Sequence, residues 1–308
     1  MAGMKLHSSG DPALDRRLDW ARAYADGGDG AAAEGILADL VEIAPDFLAA
    51  WFLLGDVREG LGRQDAAHAY ERVLAADPAD GLGAGLRLAR LGARAVDGAM
   101  SAAFVRTLFD QYAGRFDAAL REGLSYRGPE VLADAVDAAC VRLGRAPAFG
   151  RALDLGCGTG LAAPLFAPWC AWLEGVDLAP AMVERARRLG LYGALHVDEM
   201  VAFLNRQEAA GADLVLAADA FCYLADLGDV LAGARRVLRT GGLVAFTVET
   251  HPGEDVLLRD TLRYAHGREY VARALAAGGF EILRLDAMST RTEKKVPVPG
   301  LVGVARAA

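Results

Sequence analysis

The sequence predicts two folds in series, an all-α front third followed by an α/β remainder built on a parallel sheet. Three observations carry this. Pro12, Pro45 and Pro78 recur at intervals of 33 residues in similar surroundings, "DPAL", "APDF" and "DPAD". From about residue 150, short apolar runs with strand character alternate with amphipathic helical stretches, which implies a parallel sheet with helices on both faces. The first of those runs, "RALDLGCGTG" at 151–160, leads into a turn with three glycines, Gly156, Gly158 and Gly160. A chain of 308 residues accommodates two domains. The division is expected at 97/98, with residues 98–145 forming a helical lid on the second domain.

In the front third, a period near 34 residues closed by proline is the pattern of tetratricopeptide helix pairs. Each proline is expected at the first position of the next helix, where its missing N–H is not needed. The first unit places Ala23 on one helix, turns at the glycine pair of 27–28, and continues with Ala33, Leu37 and Leu40. The second has Trp51, Leu54 and Gly55, a break at Gly62, then Ala66, Ala67, Tyr70 and Leu74. Small residues at Gly55 and Ala67 let the two backbones approach. "GLGAGLRLARLGAR" is expected to cap the stack. Two repeats and a cap fall short of the roughly three that such arrays need to stand alone. The stack should therefore lean on the rest of the chain or on a second copy. It serves either as a groove for a peptide or protein, or only for packing and dimerisation.

The strands expected in the remainder are "RALDLGC", "AWLEGVDL", "ALHVDEM", "ADLVLAAD" and "GGLVAFTVET", with helices in "APAMVERARRLG" and "DVLAGARRVLRT". The end differs. "FEILRLDAMSTRTEKKVPVPGLVGVARAA" reads as two strands joined by a polar turn holding Lys294 and Lys295. That places one antiparallel strand in an otherwise parallel sheet.

The formal charge of −8 argues against a dominant nucleic-acid or anionic-membrane surface. Four cysteines, Cys140, Cys157, Cys170 and Cys222, form no CxxC pair and have no zinc-ligand spacing, so no metal is expected and the thiols should be reduced. The first residues lack an apolar leader core, and no apolar run approaches the roughly 18–20 residues of a membrane helix. The expectation is a cytoplasmic protein.

Ligands of open α/β sheets sit at the carboxyl ends of strands, and a glycine turn there exposes main chain to them. The dinucleotide fingerprint would want Gly or Ala where this chain has Leu161. Asp154, inside the strand, would repel a pyrophosphate and suits an ammonium group. Asp177, ending the next strand, is placed to accept a ribose diol. Leu178 and Met182 suit the faces of an adenine, and Asp198 or Glu199 its exocyclic amine. Amine, diol and adenine together describe S-adenosyl-L-methionine.

These residues resemble class I S-adenosylmethionine-dependent methyltransferases. "LDLGCGTG" is similar to their first motif, with Asp154, Gly156, Cys157, Gly158, Thr159 and Gly160. "GVDLAPAMVERAR" is similar to the segment after it, "ADLVLAADAFCYLADL" to the fourth-strand motif, and "VLRTGGLVAFTVE" to the turn and strand beyond. The resemblance implies a Rossmann-like seven-stranded sheet whose last strand is antiparallel. Two flanking segments, "LFDQYAGRFDAALREGLSYRGPEVL" and "RYAHGREYVARALAAGGFEILRL", resemble a bacterial subgroup of these enzymes with N-terminal tetratricopeptide repeats. The resemblance implies no particular acceptor.

Methyl transfer from a sulfonium chiefly needs alignment and water exclusion, and a base only where the acceptor must lose a proton. In similar enzymes a segment like "FDQYAGRFD" folds over the cofactor, and Tyr112 is the candidate to cover it or meet its carboxylate. Main chain at Ala218 is expected to meet the amine. Asp219 and Tyr223 are expected near the methyl group. His251 and, first, His266 are the candidate proton acceptors. Three function classes stay open: methylation of a small molecule, methylation of a protein recruited by the repeats, and a non-catalytic cofactor-binding adaptor. An RNA substrate ranks lower, because the chain is acidic and "DAFC" at 219–222 is not an (N/D)PPY motif.

Overall fold

The computed structural model describes residues 8–115 and 123–308. The chain folds as two compact units, Met1–Thr107 and Leu108–Ala308.

Among the described residues, the first unit stacks α1 (Pro12–Asp26), α2 (Gly30–Ile43), α3 (Leu48–Gly60), α4 (Ala66–Ala76) and α5 (Ala84–Arg90), each packed on the next. Pro12 begins α1, and the Asp11 carboxylate caps it by accepting the Ala13 N–H at 2.7 Å. Pro45 and Pro78 depart from the expectation. They lie in turns, and the next helices start only at Leu48 and Ala84. The preceding residues, Ala44 and Asp77, take φ of −129° and −124°. A following proline disfavours the helical region, so these prolines stop the helix before them rather than start the one after.

Gly55 acts as expected. A Cβ there would lie 2.6 Å from the Tyr70 ring. Tyr70 is fully buried, its hydroxyl 2.7 Å from Asp56 Oδ1 and 2.9 Å from Glu59 Oε2. The same carboxylates hold Arg87 at 2.8 Å and Arg90 at 2.7 Å, which ties α5 to α3.

Helix α6 (Ala102–Tyr112) crosses the boundary between the units. Beyond it come α7 (Gly128–Arg142), β1 (Phe149–Leu155), α8 (Ala163–Phe166), β2 (Cys170–Asp177), α9 (Pro180–Arg188) and β3 (Ala194–Val197). Then follow α10 (Met200–Arg206), β4 (Ala212–Ala217), α11 (Gly228–Val237), β5 (Leu238–Glu249), β6 (Val256–Leu258) and β7 (Tyr264–His266). The end holds α12 (Arg268–Ala277), β8 (Phe280–Ala287), β9 (Thr292–Glu293), β10 (Val296–Pro297) and β11 (Gly300–Ala307).

The main sheet runs β3-β2-β1-β4-β5-β11-β8. Strands β1 to β5 pair in parallel, while β11 lies antiparallel between β5 and β8. That is the expected placement of the last strand, with Lys294 and Lys295 in the turn of a small β9–β10 hairpin. The short β6–β7 hairpin, which the sequence reading did not anticipate, joins the end of β5 through Glu249 opposite Ala265.

Alternation along the strands builds two cores. Leu153, Val215, Val244 and Phe246 face α10, α11 and α12, whereas Ala152, Leu214, Leu216 and Ala245 face α7 and α8. The order of strands reverses between β1 and β4, so the crevice at their carboxyl ends is where such a sheet takes a ligand. Among the described residues, no helix is long and apolar enough to cross a membrane.

Candidate functional site

At that crevice the turn after β1 is fastened to the end of β2. Gly156, Gly158 and Gly160 have φ of +67°, +55° and +88°, the left-handed region that side chains disfavour. Cys157 N–H donates to Val176 O at 3.0 Å. Asp177 takes one N–H on each carboxylate oxygen, from Gly158 and from Ala179, both at 2.9 Å. Each oxygen keeps a lone pair for a further donor. A Cβ on Gly156 would lie 2.5 Å from Ala220 Cβ, so this glycine lets the β1 turn meet the segment after β4. A Cβ on Gly158 would meet nothing within 4 Å, which leaves that side of the turn open. Thr159 is buried beside it.

Asp154 is buried at 1% exposure and accepts the Tyr192 hydroxyl at 2.7 Å. Burial pushes its pKa up to about 7, against the pull of the Tyr192 hydrogen bond and with the Asp177 charge adding to the rise. Burial also raises the Asp177 carboxyl, opposed by its two main-chain donors. Both carboxylates stand at the carboxyl ends of neighbouring strands, Asp154 on β1 and Asp177 on β2. The arrangement fits the amine and ribose expected from the sequence and would repel a phosphate. Tyr192 was not anticipated, because nothing in its local sequence marks it as a partner of a strand 38 residues earlier.

The end of α6 lies over the same region. Asp110 accepts the Ala181 N–H at 3.0 Å, at the start of α9. Ala113 and Phe109 pack with Ala179 and Met182. Phe109 meets the Tyr223 ring edge-on, with centroids 5.3 Å apart. Tyr112 is half-buried at the end of α6. The remainder of "FDQYAGRFD", Phe116 and Asp117, lies outside the described residues.

Several other expected residues are placed differently. Met182 is fully buried beneath α6 rather than lining an opening. Leu178 is half-buried next to Asp177. Asp198 pairs with Arg206 and accepts the Glu199 N–H, and Glu199 caps α10 by accepting the Ala202 N–H at 2.8 Å. Both acids therefore already have partners on their own element.

The two histidines are corrected by geometry. His266 is fully buried in β7, its Nε2 2.9 Å from Leu224 O, its ring stacked on Tyr270. Burial lowers its pKa to about 4, so it is a neutral core residue. His251 is spent on its own loop. Its Nδ1 accepts the Gly253 N–H at 3.1 Å and its Nε2 lies 2.9 Å from Asp255 O.

Past β4, Ala218 is half-buried and Asp219 takes a φ of +53°. The Asp219 carboxylate accepts Thr247 at 2.8 Å and Thr290 at 3.1 Å, and pairs with Arg291 at 3.4 Å. Arg291, itself 2% exposed, also grips Glu249 and Glu293. Glu249 at the end of β5 pairs further with Arg259 at 3.3 Å and Arg263 at 3.5 Å. The Arg263 guanidinium lies over the Tyr223 ring, 5.4 Å from its centroid. Burial holds the Tyr223 hydroxyl well above its ordinary value, so it stays protonated. This buried ionic cluster was missed by sequence reasoning. Its members come from four separate segments, and only the topology brings them together.

Residues 153–246 match the family described as Methyltransferase domain. Methyltransferase-like protein 27 of Homo sapiens is 34% identical over 173 residues, which cover 55% of this chain and 67% of that protein. The ubiquinone biosynthesis O-methyltransferase of Xanthomonas oryzae pv. oryzae is 31% identical over 132 residues, 42% of this chain and 53% of that protein. The chain thus spans about half the length of the ubiquinone-biosynthesis relatives it matches. Among solved structures, an S-adenosylmethionine-dependent methyltransferase from Clostridium acetobutylicum aligns over 65% of this chain and 99% of its own, at 19% identity and a TM-score of 0.49. With a glycine turn locked to a strand-end aspartate at the switch point of this sheet, and with the human and Xanthomonas methyltransferases as sequence relatives, the chain belongs to the class I S-adenosylmethionine-dependent methyltransferases.

Proposed function

We propose that the protein transfers a methyl group from S-adenosyl-L-methionine to a small-molecule acceptor. The observation that carries the cofactor is Asp177, half-buried and held by Gly158 and Ala179 with lone pairs to spare. In this reading Asp177 accepts the ribose hydroxyls and the open main chain at Gly158 lies against the cofactor. Asp154 and the main chain at Ala218 face its ammonium. When bound, the cofactor supplies an electrophilic methyl on sulfur, with a neutral leaving group.

The chain's own part is then positioning and exclusion of water. Phe109 on Tyr223 and Asp110 on the start of α9 hold α6 across the crevice between β2 and β4. Asp219 is fixed by two hydroxyls and a guanidinium, which makes it an ordering residue for the loop after β4 rather than a mobile base. With His266 buried and His251 engaged, no histidine among the described site residues stands ready to take a proton. This favours an acceptor that is nucleophilic without general-base help, or one that ionises on its own.

A small acceptor is supported by the α6 cover, since a crevice roofed by the chain itself suits a compact ligand better than a protein surface. The test is incubation of the purified protein with S-adenosylmethionine carrying a labelled methyl group and a lysate, followed by separation by size. Label in the small-molecule fraction is expected. Label in a protein band would instead support recruitment through the helices of the first unit, and cofactor binding without label would support an adaptor.

A further inference from the structure

We infer that the methyl acceptor is an anion, a carboxylate or a phosphate ester, held by the guanidinium of Arg263 with Arg259 beside it. The inference rests on the methyl-transfer reading above and names the acceptor class for it.

The ionic cluster at the ends of β4 and β5 is unevenly shared. Glu249, at 4% exposure, is the meeting point of three guanidinium groups, those of Arg259, Arg263 and Arg291. Its Oε1 is taken by Arg291 in close contact, and Arg263 reaches the same oxygen only at 3.5 Å, the long limit of an ion pair. Arg259 Nε lies 3.3 Å from Oε2 yet is buried without a hydrogen bond. Asp219 and Glu293 pair directly with Arg291, while Asp219 acts on Arg263 only at longer range. Arg259 also donates an N–H to Thr250 O, so Arg263, with its single long ion pair, is the least engaged of the three.

Exposure separates them in the same way. The Arg291 side chain is 1% exposed, whereas those of Arg263 and Arg259 are 24% and 27% exposed. A half-buried guanidinium with an open side is a receptor for a planar or tetrahedral oxyanion, which it binds with two parallel hydrogen bonds. Its location suits an acceptor. Arg263 covers the Tyr223 ring, Tyr223 touches Phe109 of the α6 cover, and Ala220 in the same segment abuts Gly156 of the cofactor turn. Tyr223 and Phe109 add aromatic faces beside the charge, so an aromatic acid fits both features.

The experiment uses the full chain saturated with S-adenosylhomocysteine, titrated by calorimetry with benzoate, phenyl phosphate and the neutral benzamide. One of the two anions is expected to bind about tenfold or more tighter than benzamide, the range of a hydrogen bond to a charged group. The preference should shrink with added salt. Whichever anion binds better identifies the oxyanion. Arg263→Gln should erase the preference and leave S-adenosylhomocysteine affinity unchanged, and Arg263→Lys should restore part of it. The wild-type comparison decides even if a variant fails to fold. Equal binding of anions and benzamide, or a preference that survives in folded Arg263→Gln, would overturn the inference. Failure of S-adenosylhomocysteine to bind at the first step would instead overturn the methyl-transfer reading, and the acceptor class with it.

Discussion

Asp154 and His266 show how burial sets a residue's part. Desolvation is the largest cause for each, and their shifts run in opposite directions. Asp154 is raised from 3.8 to about 7, so the folded protein holds a proton that the unfolded chain releases, and stability falls as pH rises through this window. His266 is lowered from 6.5 to about 4, so the unfolded chain holds the extra proton, and stability is lost as pH falls from 6.5 toward 4. The two slopes oppose each other at acid pH. Denaturant melts should show a nearly flat profile there and a loss of wild-type stability from about pH 6.5 to 7.5, where the His266 contribution is complete and Asp154 still titrates. Asp154→Asn should remove that loss and expose a decline below pH 6.5. A variant profile that tracks the wild type would contradict the assignment. His266→Ala should lower stability by about 2 kcal/mol or more through the cavity and the lost Leu224 bond. It should do so without a change in the pH dependence of turnover, the readout that a proton acceptor would move.

At the scale of elements, the glycine turn contains two glycines required for different reasons. Gly156→Ala forces a Cβ against Ala220 at a positive φ, and should cost about 2 kcal/mol or more in melts. Gly158→Ala meets no neighbour, so it should cost only about 1–2 kcal/mol of left-handed strain while weakening cofactor binding. Equal stability losses in the two, with cofactor binding intact in folded Gly158→Ala, would refute the open-side reading. Asp110→Ala should loosen α6 from the start of α9, seen as faster amide exchange at Ala181.

The strands from β1 to β5, β8 and β11 were legible because their apolar runs are long enough to carry a period. The three-residue β6 and β7 were not, being too short to carry one. The glycine turn and Asp177 were legible because their spacing is local. The cap that Glu199 forms on α10 was not anticipated, since an acid before a helix serves equally as a cap or as a ligand contact. Arg259, Arg263 and Arg291 carried no signal, because each becomes meaningful only once β5, the β6–β7 hairpin and the β8–β9 link converge on Glu249.

The chain carries a helical unit and a second unit built on the sheet, and the two are separable in function if the acceptor is small. The fragment from residue 108 onward, provided it melts cooperatively, should then retain turnover on small-molecule fractions within about threefold, roughly the 0.6 kcal/mol expected of groups remote from the reacting centre. Activity of the full chain on a protein acceptor that the fragment loses would assign recruitment to the first unit instead. All of these readings depend on one claim, that the turn held by Asp177 receives S-adenosylmethionine. Calorimetric titration of S-adenosylmethionine into the full chain and into Asp177→Ala tests it most directly. The account predicts saturable one-to-one binding that weakens by about tenfold to a hundredfold in a folded Asp177→Ala, the worth of hydrogen bonds to a charged group. No binding to the wild-type protein, or equal binding to both, would contradict it.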